Sequence, residues 1–451
     1  MNILILGAGE IGFHLAQTLE RDKHSVCVMD MDPKVLGEVS ERLDVRVQPG
    51  NGATVTILEE AGVSECDLFL GLTSDDHTNL VAGSIAKALG AKKTAARVHG
   101  AIQREEWLFD YRSHFSIDYL FSPERLAAID LAKFIRNPNA LLVEEFARGK
   151  IELQQTVIAT GSRAAGATLR TVGLPSHVRV GLIHRDGRAF VPNADNELRA
   201  GDVVTLFGAP SKLTALLPVF QNRGSEAAAD KTVVIFGGGD YGYALAQMLE
   251  SGPFRTRIFE TDPVICEQLC HTLQRTSVIN ADATSLAQLK EEQVGDADFF
   301  VAATRDDEDN VMTCLQAKSL GAKHCVTLIH RADYADAISR NSMQLGVMGA
   351  VSPRVATAKD LMRLMTHKEV QVLVKFDGGV HAIEAHVPEG CAIAGREVRE
   401  ITWPPECGLV ALLRGQTASV PGPEDRIQPG DDIVAIVSDR SRREMEKLLE
   451  P

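Results

Sequence analysis

Short apolar runs alternate with stretches of helical spacing along the first third of the chain. Between the first two runs, the segment IGFHLAQTLE places its apolar residues at helical intervals. Strands that alternate with helices indicate βαβ units and a parallel sheet, which needs cover on both faces. The pattern therefore predicts one doubly wound domain over residues 1 to about 135. Its strand-like runs are NILIL, SVCVMD, VRVQ, LFLGLT, TAARV and DYLF.

The pattern changes after this domain. From KIELQQTVIAT to LLPVF, and again from EVQVLVKF to the end of the sequence, strand-like runs follow one another closely. A hairpin is expected to turn at Asp186-Gly187, and Gly201-Asp202 and Gly430-Asp431 each precede a strand. Each segment spans about 80 residues, which is enough for a small α+β module.

The whole arrangement occurs twice. Gly7-x-Gly9-x-x-Gly12 recurs 230 residues later as Gly237-x-Gly239-x-x-Gly242, and CDLFLGLTSDDHTN at 66–79 recurs as ADFFVAATRDDEDN at 297–310. Repeats in the same order and spacing indicate duplication of one unit. The predicted fold class is α/β, with two tandem Rossmann-like doubly wound parallel-sheet N-lobes, each followed by a small α+β C-lobe. The predicted domains are 1–137 and 231–367 for the N-lobes, 138–224 and 368–451 for the C-lobes, with a polar linker at 221–231.

Each glycine turn follows a strand and begins a helix, as a dinucleotide site requires. Gly7 permits the tight turn, Gly9 lets the backbone approach a pyrophosphate, and Gly12 lets the helix pack closely on the sheet. The N–H groups of the helix N-terminus then face the phosphates. A carboxylate at the end of the second strand should accept hydrogen bonds from the ribose hydroxyls. Asp30 and Glu260 each stand 23 residues after the first glycine of their motif.

These acids also indicate which nucleotide binds. A 2′-phosphate would meet a like charge there, and neither Met31 nor Thr261 offers the cation that an NADP site needs. NAD or an adenine nucleotide is therefore favoured over NADP.

The two copies differ at positions that affect phosphate binding. Arg97 follows an apolar strand at an edge where a guanidinium can neutralise a phosphate, whereas the corresponding residue of the second copy is Leu328. Asn51 corresponds to Asp282. We therefore expect the two sites to bind differently, with the first better equipped for phosphate.

Composition excludes several classes of partner. Net charge is −14, from 47 basic and 61 acidic residues, without a basic cluster flanked by aromatics. This argues against binding to nucleic acid or to anionic lipid. No window approaches the ~18 apolar residues that a membrane span needs, and the first residues read as a strand, so a cytosolic protein without membrane insertion is expected. The eight cysteines include no Cys-x-x-Cys pair, which favours buried or incidental thiols.

Catalytic chemistry is absent from the pattern. We find no positioned acid–base pair, nucleophile elbow, Walker lysine or zinc-binding His pair. His99 and His330 correspond across the repeat, and a structural role suits them about as well as a functional one. The acidic run 306–309 can be read as a divalent-cation site, but capping of the next helix is favoured, as it is for Asp75 and Asp76 in the first copy. We expect nucleotide recognition without catalysis; an NAD-dependent oxidoreductase is the alternative, supported only by the Rossmann signature.

This combination resembles the RCK (regulator of potassium conductance) family, in particular the tandem TrkA-type regulatory subunits of bacterial Trk potassium-uptake systems. The likeness covers essentially the whole chain. In that family each Rossmann-like N-lobe is joined to a small C-lobe by a crossover helix, and SPERLAAIDLAKFI and SPRVATAKDLMRLM resemble those helices. The other residues that carry the likeness are ILGAGEIG, Asp30, GLTSDDHTN and Arg97 in the first copy, and IFGGGDYG, Glu260 and AATRDDEDN in the second.

The resemblance implies a regulatory function. Such subunits assemble into a ring, expected here as a homotetramer, on the inner face of the cell membrane beneath a potassium channel or transporter. Binding of NAD(H) or ATP/ADP changes the shape of the ring. A regulator of another cation transporter is an alternative. With the glycines, acids and the Asn51–Asp282 pair noted above, the predicted binding residues are Gly7, Ala8, Gly9, Glu10, Ile11, Gly12, Asp30, Asn51, Thr73, Ser74 and Arg97, then Gly237, Gly238, Gly239, Asp240, Tyr241, Gly242, Glu260, Asp282 and Thr304; no metal ligand is predicted.

Overall fold

In the computed structural model, the chain folds into two units. One contains Met1–Ile135 and Ala228–Met365, and the other contains Arg136–Ala227 and Thr366–Pro451. The structure describes residues 1–100, 102, 108–136, 142–146, 151–221, 231–365, 370–376, 378–414 and 417–450. The predicted linker at 221–231 lies almost wholly outside the described residues.

The first half of the chain contains eleven described strands and seven described α-helices. In chain order they are β1 (Asn2–Leu6), α1 (Glu10–Arg21), β2 (Ser25–Asp30), α2 (Pro33–Arg42), β3 (Arg46–Pro49), α3 (Val55–Glu60), β4 (Leu68–Gly71), α4 (Asp76–Ala88), β5 (Lys93–Arg97), α5 (Tyr111–His114), β6 (Tyr119–Phe121), α6 (Pro123–Arg136), β7 (Leu142–Phe146), β8 (Ile151–Val157), β9 (Val178–Arg185), β10 (Arg188–Phe190), β11 (Val203–Gly208) and α7 (Pro210–Phe220).

The second half repeats this order. Its described elements are β12 (Lys231–Phe236), α8 (Asp240–Leu249), β13 (Phe254–Glu260), α9 (Pro263–Thr272), β14 (Ser277–Asn280), α10 (Leu286–Glu291), β15 (Phe299–Ala302), α11 (Asp307–Leu320), β16 (His324–Leu328), α12 (Ala332–Arg340), α13 (Ser342–Leu345), β17 (Gly349–Val351), α14 (Pro353–Met365), β18 (Val370–Phe376), β19 (Val380–His386), β20 (Cys407–Arg414), β21 (Thr417–Ser419), β22 (Asp432–Ser438) and α15 (Arg442–Leu448). Short 3₁₀ turns lie at Val63–Glu65, Val294–Asp296 and Val398–Glu400.

Two parallel sheets form the first unit. Their strand orders are β3-β2-β1-β4-β5-β6 and β14-β13-β12-β15-β16-β17, and every adjacent pair runs parallel. The order reverses direction beside β1 and β12. In open α/β sheets, ligands bind at the carboxyl ends of the strands at this switch point. The predicted fold class is confirmed, and the six predicted strands of the first lobe match β1 to β6.

The second unit contains two antiparallel sheets. Their orders, β10-β9-β11-β8-β7 and β18-β19-β22-β20-β21, are the same topology written from opposite edges. The predicted hairpin joins β9 to β10, where Asp186 at φ +50° and Gly187 at φ +75° take the left-handed conformation of a tight two-residue turn. One apolar cluster contains buried residues of both C-lobes, including Leu182, Phe207, Val410 and Ile436.

The two N-lobes exchange a helix, which the sequence did not predict. Helix α6 leaves the first sheet, yet its Leu131 and Ile135 lie in the apolar core of the second lobe with Val233. Helix α14 leaves the second sheet, and its Leu361 lies in the core of the first lobe with Leu15. A parallel sheet needs apolar cover on both faces, so each sheet depends on a helix from the other half of the chain.

This exchange predicts where a core mutation acts. Leu131→Ala removes a fully buried side chain, and we expect it to cost about 2–5 kcal/mol of unfolding free energy. Because Leu131 packs in the second lobe, hydrogen exchange should accelerate in β12, β13 and β15. Leu361→Ala is the matched control and should instead affect β1, β2 and β4. Loss of protection in the first lobe alone after Leu131→Ala would contradict the exchange.

Candidate functional site

The glycine turns have the tight geometry that the motif predicts. Gly7 adopts φ +103°, and a Cβ there would lie 2.8 Å from the backbone N of Thr73. A Cβ on Gly12 would overlap the carbonyl oxygen of Gly7, whereas a Cβ on Gly9 would meet nothing within 4 Å. Gly237 and Gly242 repeat this arrangement. The first and third glycines are therefore required by the fold, and the second leaves open space over the turn.

The predicted acids lie against these turns. Asp30, at the end of β2, accepts hydrogen bonds from the backbone N of Ala8 at 2.8 Å and of Asp32 at 2.9 Å. Glu260, at the end of β13, accepts from the backbone N of Gly238 at 2.8 Å and of Asp262 at 2.9 Å. Each carboxylate therefore stands where the ribose of a nucleotide on the turn would meet it.

In each lobe one buried asparagine holds the loop that follows the fourth strand. The sequence pattern did not single out either asparagine. Asn79 accepts from the backbone N of Thr73 at 2.9 Å and from its Oγ1 at 2.8 Å, and its Nδ2 donates to the carbonyl oxygen of Arg97 at 3.0 Å. Asn310 makes the same bonds to Thr304 and Leu328. The sequence feature that could have identified them is the asparagine that ends both repeated segments, DDHTN and DDEDN.

The second lobe presents an open cleft of about 810 Å³ at its glycine turn. It brings together most of the predicted residues of this lobe, while Gly242 packs behind the turn. Tyr241 lies on the border between this cleft and a second cavity. The predicted residues that line the cleft are Gly237, Gly238, Gly239, Asp240, Tyr241, Glu260, Asp282 and Thr304.

This cleft is strongly acidic. Among the described residues that line it, five are carboxylic acids: Asp240, Glu260, Asp282, Asp306 and Asp309. The one cation among them, Arg305, is 88% exposed and lies 3.7 Å from Asp240. Burial raises the pKa of Asp309, and the carboxylates of Asp306, Asp282 and Glu308 raise it further. The side chains that line this cleft therefore carry a net negative charge.

Other predicted residues of the first lobe lie at the start of α1 and in the loops after β3 and β4. Glu10 begins α1, exposed, with Ile11 half-buried behind it. Thr73 and the exposed Ser74 form the loop after β4. Asn51 follows β3, and its Oδ1 accepts from the backbone N of Ala53 at 3.0 Å.

Arg97 lies in an ion pair. Its Nη2 is 3.0 Å from Oε1 of Glu124, at the start of α6, and the two side chains are 17% and 5% exposed. The other Glu124 oxygen accepts from Oγ of Ser122 at 2.7 Å. This pair lines the second cavity, of about 430 Å³, with Tyr241 and residues of both lobes. The role of Arg97 as a nucleotide ligand therefore stays a prediction.

The corresponding histidines are held in structural pairs. Nδ1 of His99 lies 2.7 Å from Asp76, and Nδ1 of His330 lies 3.0 Å from Asp307. The preceding acids cap helices as expected: Asp75 accepts from the backbone N of Thr78, and Asp306 accepts from that of Asp309. The described residues contain no group of three side chains arranged to hold a metal ion.

The glycine geometry predicts opposite outcomes for two alanine substitutions. In Gly12→Ala the new Cβ overlaps the carbonyl oxygen of Gly7, so the helix and the turn must move apart. We expect this to cost more than about 3 kcal/mol of unfolding free energy. Gly9→Ala adds a methyl group to open space at a helix N-cap and should cost under about 1 kcal/mol. Urea denaturation of both variants tests this. Equal losses would show that the turn relaxes around Gly12.

The chain matches two domain families, each twice. Residues 3–122 and 233–353 match the TrkA-N domain, and residues 153–221 and 382–450 match the TrkA-C domain. These segments alternate along the chain in the order of the repeat. None of the helices in the described part of the chain is long and apolar enough to cross a bilayer.

Known proteins resemble the chain over nearly its full length. The Trk system potassium uptake protein TrkA of Halomonas elongata is 32% identical over 460 aligned positions, covering 100% of this chain and 99% of the relative. The structure of the GsuK channel bound to NAD superposes with a TM-score of 0.60 at 19% identity, over 99% of this chain and 78% of that one. GsuK bound to ADP gives 0.52 at 16% identity, over 82% and 70%. The chain belongs to the TrkA family, with TrkA-N and TrkA-C domains in tandem.

Proposed function

We propose that this protein is the nucleotide-responsive regulatory subunit of a Trk-type potassium uptake system. It binds NAD(H) and ATP or ADP in its N-lobes and shifts a membrane channel or transporter between closed and open states. The observation that carries the proposal is the duplicated cradle, a glycine turn whose backbone N–H is held by a carboxylate at 2.8 Å in both lobes. The full-length likeness to a Trk system protein supports the assignment to a Trk-type system.

The ligand classes follow from the cradle and from the fold. The carboxylates of Asp30 and Glu260 suit a ribose with free hydroxyls. The shared fold is found in GsuK structures with NAD and with ADP. The acidic cleft of the second lobe favours ligands with fewer phosphate charges, and we propose that the more phosphorylated nucleotides bind the first lobe.

We further propose an arrangement of the subunits. Four copies form a ring at the inner face of the cell membrane, held there by the membrane partner, and each copy divides into lobes at 1–137, 138–224, 231–367 and 368–451. A ligand that binds one shape of the ring more tightly shifts the population toward that shape. The protein acts by binding and turns nothing over.

A reconstituted system tests the proposed function. The Trk-type membrane subunit of the source organism is placed in liposomes, and potassium flux is measured with and without this protein. We expect the protein to bind the liposomes only when the partner is present, and NAD(H), ATP or ADP to change the flux. A flux indifferent to the protein, with binding to a different transporter, would assign it to another cation system.

Removal of the ribose-facing acid should weaken nucleotide binding in the first lobe. Asp30→Ala deletes a charged acceptor whose hydrogen bonds are worth about 1.5–3 kcal/mol, which corresponds to roughly 10- to 100-fold in affinity. Calorimetric titration with NADH in a Glu260→Ala background, which weakens the second site, measures mainly the first site. Asp32→Ala is the control, because Asp32 caps α2 through the backbone N of Lys34. An unchanged dissociation constant in Asp30→Ala would remove Asp30 from the ligand shell.

The absence of catalysis is tested separately. The purified protein should bind NADH without consuming it, because the described site pairs its histidines and acids in structural contacts. Absorbance at the NADH band is followed with panels of carbonyl and hydroxy-acid substrates. Substrate-dependent oxidation that Asp30→Ala abolishes would identify an oxidoreductase instead.

A further inference from the structure

An arginine of the second lobe reaches the glycine turn of the first. Arg354 stands at the beginning of α14, and its Nη2 lies 2.7 Å from Oε2 of Glu10. Glu10 is the first residue of α1, directly after the turn. The guanidinium therefore lies within one side chain of the helix N-terminus that the phosphates of a bound nucleotide would meet.

The guanidinium of Arg354 is held in place, but one of its N–H donors has no partner among the described residues. Helix α14 is anchored by Leu361 in the core of the first lobe, so the position of Arg354 depends on that packing. Its side chain is 20% exposed, and its Nε is buried without a hydrogen-bond partner among the described residues. Glu10, by contrast, is 67% exposed. Water can solvate Glu10 readily if a stronger anion displaces it.

The repeat shows that this cation is particular to one site. The residue that corresponds to Arg354 is Glu124, after the same Ser-Pro dipeptide. Glu124 lies with Asp240 and Tyr241 on the wall of the 430 Å³ cavity, and Arg97 neutralises it. The helix exchange therefore brings a cation to the first glycine turn and an acid, already paired, to the second.

We propose that Arg354 is a phosphate ligand of the first nucleotide site, supplied by the second lobe. On binding, the outer phosphates of a nucleoside di- or triphosphate replace the carboxylate of Glu10 on the guanidinium. A guanidinium binds phosphate through two parallel N–H donors, and Nε with one Nη is such a pair. This inference rests on the proposed function, since it needs a nucleotide on the first turn.

The exchange of partners links ligand charge to the contact between lobes. With adenosine bound, the Arg354–Glu10 pair stays intact as an ion pair between α14 and α1. With ADP or ATP, the ligand itself joins the two helices. The affinity for nucleotides with more phosphates therefore depends on Arg354, a residue outside the lobe that holds the base and ribose.

Titration with a phosphate series tests the proposal. The full chain, in a Glu260→Ala background, is titrated calorimetrically with adenosine, AMP, ADP and ATP. Arg354→Met keeps the apolar stem and removes the charge, and we expect at least about 10-fold weaker ATP and ADP binding. Adenosine binding should be unchanged. Arg331→Met is the matched control, because Arg331 borders the same cavity but pairs with Asp333 of its own lobe.

A second variant keeps the test informative if Arg354→Met folds poorly. Glu10→Gln removes the competing carboxylate and should strengthen ATP binding several-fold, by an amount that shrinks when Arg354→Met is added. Equal losses in Arg354→Met and Arg331→Met would assign the effect to the general charge of the cavity and overturn the proposal. An unchanged ATP affinity in Glu10→Gln would also overturn it.

Failure of this inference is distinguishable from failure of the proposed function. If the parent protein binds none of the four ligands and no NADH, the nucleotide function itself fails. If ATP binds and its affinity is indifferent to Arg354→Met, the function stands and Arg354 is a structural contact only.

Discussion

A parallel sheet must be covered by apolar side chains on both faces, and this constraint organises the first unit. Each N-lobe lacks part of its own cover. The missing surface comes from the other half, with Ala128 and Leu131 of α6 on the second lobe and Ala358 and Leu361 of α14 on the first. A hydrogen bond also holds α14 on the first lobe, because Oη of Tyr119 donates to Oδ2 of Asp360 at 2.7 Å. Duplication within one chain thus gives each lobe a partner at fixed stoichiometry.

The scaffold of the two sites is independent of the side chains that make them different. Asn79 and Asn310 bond to the carbonyl oxygens of Arg97 and Leu328, and both distances are 3.0 Å. Since these bonds use the backbone, an arginine at one position and a leucine at the other leave the loop geometry equal. The copies can therefore diverge in charge while they keep the same cradle.

The sequence predicted what depends on local pattern. The strands β1 to β6, the tight turn at Asp186-Gly187, the helix caps Asp75 and Asp306, and the acids at the glycine turns all follow from periodicity, turn chemistry or motif spacing. The exchange of α6 and α14 could not be predicted this way, because an apolar helix face does not identify the sheet that it covers. The partner of Arg97 was missed for the same reason. Glu124 follows it by 27 positions, and only the fold brings the two together.

The charges at the contact between the two N-lobes differ from one copy to the other. In a symmetric pair of identical chains, the residue that crosses to the first site would also cross to the second, since such an interface uses the same surface twice. Here the crossing residues are Arg354 and Glu124, of opposite charge. Glu124 would be an uncompensated buried acid without Arg97, and such a charge costs several kcal/mol. At the position of Arg97 the other copy has the fully buried Leu328, and Arg354 finds its carboxylate across the interface. The differences between positions 97 and 328 and between positions 124 and 354 therefore compensate one another in charge, and two identical chains in a symmetric pair could not carry them.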